Sequence, residues 1–180
     1  TDLEHPCQAL ADYLTIHEEF GSFENLVLSF VGDGNNVANS LILFASILDL
    51  EIRIACPEGY EPSPQILQKA SKLYKNHTKL KILNDPIKAV NGANIIYTDV
   101  WASMGEEHEK EEKDRAFEGF TINQDLVDKA KKDVIVLHCL PAYRDKEITE
   151  QVMDGKNSRI FDQAENRLYA QQALLTCLLS

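Results

Sequence analysis

Short runs of β-branched and aliphatic residues recur along the chain, separated by stretches whose apolar positions fall three and four residues apart. Alternation of these two periods predicts strands alternating with helices, the arrangement of a parallel α/β sheet. Five strands are expected, over Leu26–Val31, Glu51–Cys56, Leu80–Leu83, Asn94–Thr98 and Val134–His138, with a shorter sixth over Arg159–Phe161. Punctuation places the helices. Ser63-Pro64 and Asp85-Pro86 each set a capping residue ahead of a proline at the first helical position, and Asn123 can cap a third helix. A first helix over about 2–20 ends at Gly21, a residue suited to a left-handed cap, and a last helix spans about 164–179. Residues 1–180 therefore read as one α/β domain: a doubly wound, mostly parallel sheet with helices on both faces, Rossmann-like in outline.

Ligands in such folds collect at the carboxyl ends of the strands. Three of these ends carry candidate chemistry. Gly32-Asp33-Gly34-Asn35-Asn36 follows the first strand, where it either binds an anion at the helix start or simply turns the chain. It departs from a dinucleotide fingerprint, because Val37 follows Asn36 where a third glycine is needed and the second strand ends Ala55-Cys56-Pro57 without a ribose-binding acid. Asp99, followed by Ser103-Met104-Gly105, is either a turn residue or part of a site for a zwitterionic amino acid. The fifth strand ends His138-Cys139-Leu140-Pro141, which puts Cys139 near the rim. His138 and Cys139 are adjacent on a strand and point to opposite faces, which argues against a Cys-His nucleophile. A metal is not expected, since the pair lacks two further ligands at a zinc-like spacing.

Charge narrows the choice of partners. Eighteen basic and 29 acidic residues give a formal net charge of −11, which disfavours nucleic acid and anionic membrane surfaces. The longest nearly apolar run, Leu41–Leu48, is too short to span a bilayer. Four widely spaced cysteines, Cys7, Cys56, Cys139 and Cys177, fit a reducing compartment. The stretch Glu106–Arg115 holds six acids and three bases, and reads as a solvated helix or mobile loop. The chain opens without Met, in sequence that already reads as helical, so it is expected to be a piece of something larger.

Taken together, His5-Pro6-Cys7-Gln8, the Gly32–Asn36 turn, Asp99 with Ser103-Met104-Gly105, His138–Pro141 and Glu165-Asn166-Arg167 resemble, in order and spacing, the ornithine carbamoyltransferases. The resemblance implies transfer of the carbamoyl group from carbamoyl phosphate to the δ-amine of L-ornithine, giving citrulline and phosphate. It implies catalytic roles for His5, Cys139 and Arg167. Carbamoyl phosphate would meet His5, Gln8, Cys139, Leu140 and Arg167, with Gln8 one turn along the same helix face as His5. Ornithine would meet Asn36, Asp99, Ser103 and Met104. No metal and no organic cofactor is implied.

The family's Ser-Thr-Arg-Thr phosphate loop does not occur in these 180 residues. The chain is therefore expected to be the ornithine-binding half, inactive alone. Its partner would be an N-terminal carbamoyl-phosphate domain, bridged by the terminal helices through an apolar stripe at Leu168, Ala173, Leu174, Cys177 and Leu178. The full enzyme would be a trimer-type homo-oligomer, in bacterial cytoplasm rather than the mitochondrial matrix. Transfer to a related amine such as putrescine, or a non-catalytic amino-acid-binding module, are the alternatives.

Overall fold

The computed structural model describes residues 1–102 and 110–180. Among these, β1 (Val27–Val31), β2 (Glu51–Ala55), β3 (Leu80–Leu83), β4 (Ile95–Thr98) and β5 (Ile135–His138) form one sheet, all parallel, in the order β3-β2-β1-β4-β5. The chain winds outward from β1 to β3, then crosses back to β4 and β5. Winding therefore reverses between β1 and β4, and the connections leaving their carboxyl ends diverge, which opens a crevice there.

Strand alternation feeds two cores. Leu28, Phe30, Ile95, Tyr97, Ile135 and Leu137 face one layer, built from α1 (Pro6–Phe20), α2 (Asn36–Leu48) and α3 (Pro64–Leu73). Val31, Ile96 and Val136 face the other, with α4 (Pro86–Val90), α5 (Lys110–Ala116), α6 (Gln124–Val127) and α7 (Glu150–Met153). Leu28 and Phe30 are wholly buried, and each such side chain contributes about 1.5–3 kcal/mol of transfer free energy. The last helix, α8 (Ile160–Leu179), packs mainly across α1.

Helix punctuation follows the expected chemistry. Gly21, at φ 69°, closes α1 by donating to the His17 carbonyl, Asp85 caps α4 through the Lys88 N–H, and Asn123 caps α6 through the Leu126 N–H. Three expectations change. The first helix starts at Pro6 rather than near residue 2, because Pro6 has no N–H to pair and takes the first helical position, which leaves His5 as the cap. The sixth strand is absent among the described residues: Ser158 makes one bridge to Val136, and Arg159 already turns into α8, which begins at Ile160 rather than near 164. The acidic stretch is not simply solvated. Residues 106–109 lie outside the described residues, but Lys113 on α5 is buried and pairs with Asp33 at 2.7 Å.

The second half of α8 is uncovered. Leu168, Leu175, Leu178 and Leu179 are all more than half exposed, on a helix that passes beyond α1. No helix among the described residues is long and apolar enough to cross a membrane.

Replacing a wholly buried strand residue leaves a cavity that close-packed neighbours cannot refill. Ile54→Ala in β2 is expected to lower the unfolding free energy by about 2–5 kcal/mol in urea titrations. Leu178→Ala is expected to stay within about 0.5 kcal/mol, since its side chain is 71% exposed.

Candidate active site

A cavity of about 580 Å³ opens at the carboxyl ends of β1 and β4. The Asp33–Val37 turn, Asp99–Ala102, Cys139–Pro141 and His5 contribute to its wall. Three loops converge there because the parallel register brings Val31, Thr98 and His138 to the same edge of the sheet.

The turn after β1 is held by its own side chains. Gly34 is obligatory: a Cβ there would lie 2.3 Å from the Pro62 nitrogen. Asn35 caps α2, its Oδ1 accepting from the Val37 and Ala38 N–H groups, and its Nδ2 donates to Asp99 Oδ2 at 2.7 Å. Asp99, at 5% exposure, also accepts from the Val100 N–H at 2.7 Å and from the Cys139 thiol at 2.9 Å. This carboxylate is thus fixed by neutral donors at the back of the cavity.

Cys139 is a donor here, not a nucleophile. Burial and the adjacent Asp99 charge push its thiol well above the usual range, so it keeps its proton at neutral pH. His138 turns away from the cavity, as the strand period requires, and is buried in the second layer. Its Nδ1 accepts from the Leu140 N–H at 2.9 Å, so the proton sits on Nε2 and is donated to Glu147 at 3.0 Å. Glu147 Oε1 accepts also from the Tyr143 N–H, and its Oε2, buried, has no partner among the described residues. The pair thereby shapes the Cys139–Pro141 turn, in which Leu140 is left-handed at φ 60°. Asp99, His138 and Cys139 come within 4.8 Å of one another, but their polar atoms are spent on the bonds just described.

The remaining expected residues divide. His5 sits on the wall, its N–H donating to Ser40 Oγ at 2.7 Å and its carbonyl starting α1. Burial, then the charge of Arg167, hold its imidazole below the usual value, with Asp99 opposing. His5 is thus neutral at pH 7 and still has one N–H to give. Arg167, on α8, acts on His5 through its field but does not line the cavity. Asn36 and Leu140 line it, and Asn36 Nδ2 donates to the Thr1 carbonyl at 2.7 Å.

Gln8, one turn along α1 from His5, is not part of the cavity wall. It is buried in the helix interface, where Nε2 donates to Asp12 at 2.8 Å and Oε1 has no partner. The reason is register: His5 is the cap, and the first turn of α1 carries Gln8 inward. Ser103 and Met104 lie outside the described residues. Asn35, Glu147 and Lys113 were not expected at the site. Asn35 carries a signal, since capping residues at the end of β1 are placed by the turn. Glu147 and Lys113 carry none, because each meets its partner from a distant segment.

These features define a small-ligand domain of the doubly wound class, with a carboxylate-lined cleft at its switch point. Residues 24–178 match the family model described as aspartate/ornithine carbamoyltransferase, Asp/Orn binding domain. Ornithine carbamoyltransferase of Prochlorococcus marinus subsp. pastoris is 66% identical over 99% of the chain and 58% of its own length. Two solved structures are similar: ornithine carbamoyltransferase from Pyrococcus furiosus, with a TM-score of 0.91 and 49% identity over 97% of this chain and 56% of that one, and the enzyme from Gloeobacter violaceus, with a TM-score of 0.89 and 47% identity over 100% and 60%. The chain belongs to the aspartate/ornithine carbamoyltransferase family. It spans somewhat over half the length of these relatives.

Asp33 lines the cavity and is neutralised by a lysine that is 5% exposed. Lys113→Met is expected to cost about 3 kcal/mol in urea melts, because it removes the buried ammonium that pairs with Asp33 at 2.7 Å. Adding Asp33→Asn should recover much of the loss; a purely additive double variant would show the pair to be uncoupled.

Proposed function

We propose that this chain forms the ornithine-binding half of an ornithine carbamoyltransferase, which transfers the carbamoyl group of carbamoyl phosphate to the δ-amine of L-ornithine. The observation that carries the reading is Asp99, a buried carboxylate facing the cavity and held by the neutral donors Asn35, Val100 N–H and Cys139. Its charge calls for a cationic ligand group. Asp2, Asp114 and Glu147 add carboxylates to a wall that also holds Lys110 and Lys146, which suits a substrate with two amines and one carboxylate.

In this reading Asp99 takes an amino group of ornithine and Cys139, as a thiol, holds the reacting amine beside it. Asn36 meets the amino-acid head group, and Ser103 and Met104 are assigned there from the sequence alone. Attack on the carbamoyl carbon builds negative charge on its oxygen, which the neutral His5 imidazole stabilises with its single N–H. Arg167, permanently charged, favours the phosphate dianion. The carbonyls of Cys139 and Leu140 receive the carbamoyl N–H groups, and Gln8, whose buried Oε1 has no partner among the described residues, is assigned there as a further acceptor from the sequence alone. The site needs a second domain to cradle the phosphate, and the exposed apolar residues on α8 are surface suited to meet it. Assembly as a trimer-type homo-oligomer and a cytoplasmic location complete the proposal.

Removing the Asp99 charge should cost about 1.5–3 kcal/mol of ornithine binding, or about 10- to 150-fold in affinity. Titration calorimetry of Asp99→Asn against the unmodified protein reads this directly, and undiminished binding would refute the assignment. The protein made from its complete reading frame is expected to form citrulline. The 180-residue chain alone is expected to form none.

A further inference from the structure

Residues 1–5 form no helix or strand, yet three side chains on one face of α2 grip their backbone. Asn36 Nδ2 donates to the Thr1 carbonyl at 2.7 Å, Asn39 Nδ2 donates to the Leu3 carbonyl at 3.0 Å, and Ser40 Oγ accepts from the His5 N–H at 2.7 Å. Positions 36, 39 and 40 are three and four residues apart, so they stand together on the helix surface. Asn39 Oδ1 accepts from the Ser63 N–H at 3.3 Å, which turns its amide nitrogen toward Leu3. His5 is thereby held on both sides. Its carbonyl accepts from the Gln8 and Ala9 N–H groups and starts α1, while its N–H goes to Ser40 on α2. With both backbone groups fixed, only two side-chain torsions are left to place the imidazole on the cavity wall.

The same helix holds the other half of the site. Asn35, the cap of α2, donates to Asp99 at 2.7 Å. Ser40 stands five positions further on, about 7.5 Å along the helix axis. A single rigid element therefore sets the span between the carboxylate and the imidazole. Ser40 is buried and does not line the cavity, so it acts on a ligand only through His5. We propose that Ser40 is a positioning residue for His5: its hydroxyl oxygen anchors the His5 backbone on α2, the helix whose cap holds Asp99, and so fixes the imidazole relative to that carboxylate. The anchoring stands on geometry alone; its importance for carbamoyl transfer rests on the function proposed above.

Two measurements on the protein made from its complete reading frame test this. The first is amide hydrogen exchange, read by mass spectrometry at single-residue resolution. In Ser40→Ala the His5 N–H loses its acceptor and should exchange about tenfold faster, while the Ile16 amide in the middle of α1 keeps its rate. An unchanged His5 rate, or equal acceleration at both positions, overturns the proposal. The second is citrulline formation. Ser40→Ala should lower kcat about tenfold, because a displaced imidazole meets the reacting oxygen poorly. The ornithine KM should stay within about twofold, since Asn35, Asp99 and Cys139 keep their bonds. His5→Ala preserves the start of α1, whose cap uses only the backbone of residue 5. Adding Ser40→Ala to it should lower kcat by less than about twofold more. A further tenfold loss in that background shows that Ser40 acts without His5 and overturns the proposal, as does an unchanged kcat in Ser40→Ala. If Ser40→Ala does not fold, Ser40→Cys, a weaker acceptor, decides by the same readings. Absence of citrulline from the unmodified protein refutes the functional reading, and the exchange rate still decides whether Ser40 anchors His5.

Discussion

Asp12 ties together the elements on which the site stands. His5 caps α1, Arg167 rides on α8, Asp99 follows β4 and Cys139 follows β5, and the side chains bonded to Asp12 come from α1, α8 and β4. Burying an ionised carboxylate costs several kcal/mol unless it is fully hydrogen-bonded, and here three donors meet it. Directionality follows from that requirement. An apolar contact would hold the helices together equally well, but it would not decide which way two glutamines and a tyrosine point.

The sheet supplies the frame. Reversal of winding between β1 and β4 leaves a crevice, and parallel register delivers the turn after β1, Asp99 and Cys139 to the same rim. Each loop is then locked to a neighbour as well as to itself: Asn35 to Asp99, Cys139 to Asp99, Lys113 to Asp33 and His138 to Glu147. Asp99 is thus already desolvated and oriented before any ligand arrives.

Much of this architecture was legible along the chain because its determinants are local. Proline at the first turn of α3 and α4, glycine at the end of α1 and asparagine ahead of α6 act on their own backbone, and alternation along each strand selects its faces. Local reading says less where a partner is remote. Gln8 shares a helical turn with the cap residue His5, but the direction of its amide is set by Asp12. Arg159–Phe161 has strand-like residues, yet one bridge to β5 cannot hold a strand once Arg159 turns into a helix.

By itself the sequence determined the five strands, their order of appearance, the caps of α4 and α6 and the short motifs that place Asp99 and Cys139 at strand ends. These depend on periods of two and 3.6 residues and on the backbone preferences of proline, glycine and asparagine. Only the tertiary structure decided the donor and acceptor directions at the site. The proton of Cys139, the tautomer of His138 and the charge compensation of Asp33 each depend on a group brought near by folding, Asp99, Glu147 and Lys113 respectively. Hydrogen bonds act over about 3 Å, and that distance is set by packing rather than by separation along the chain.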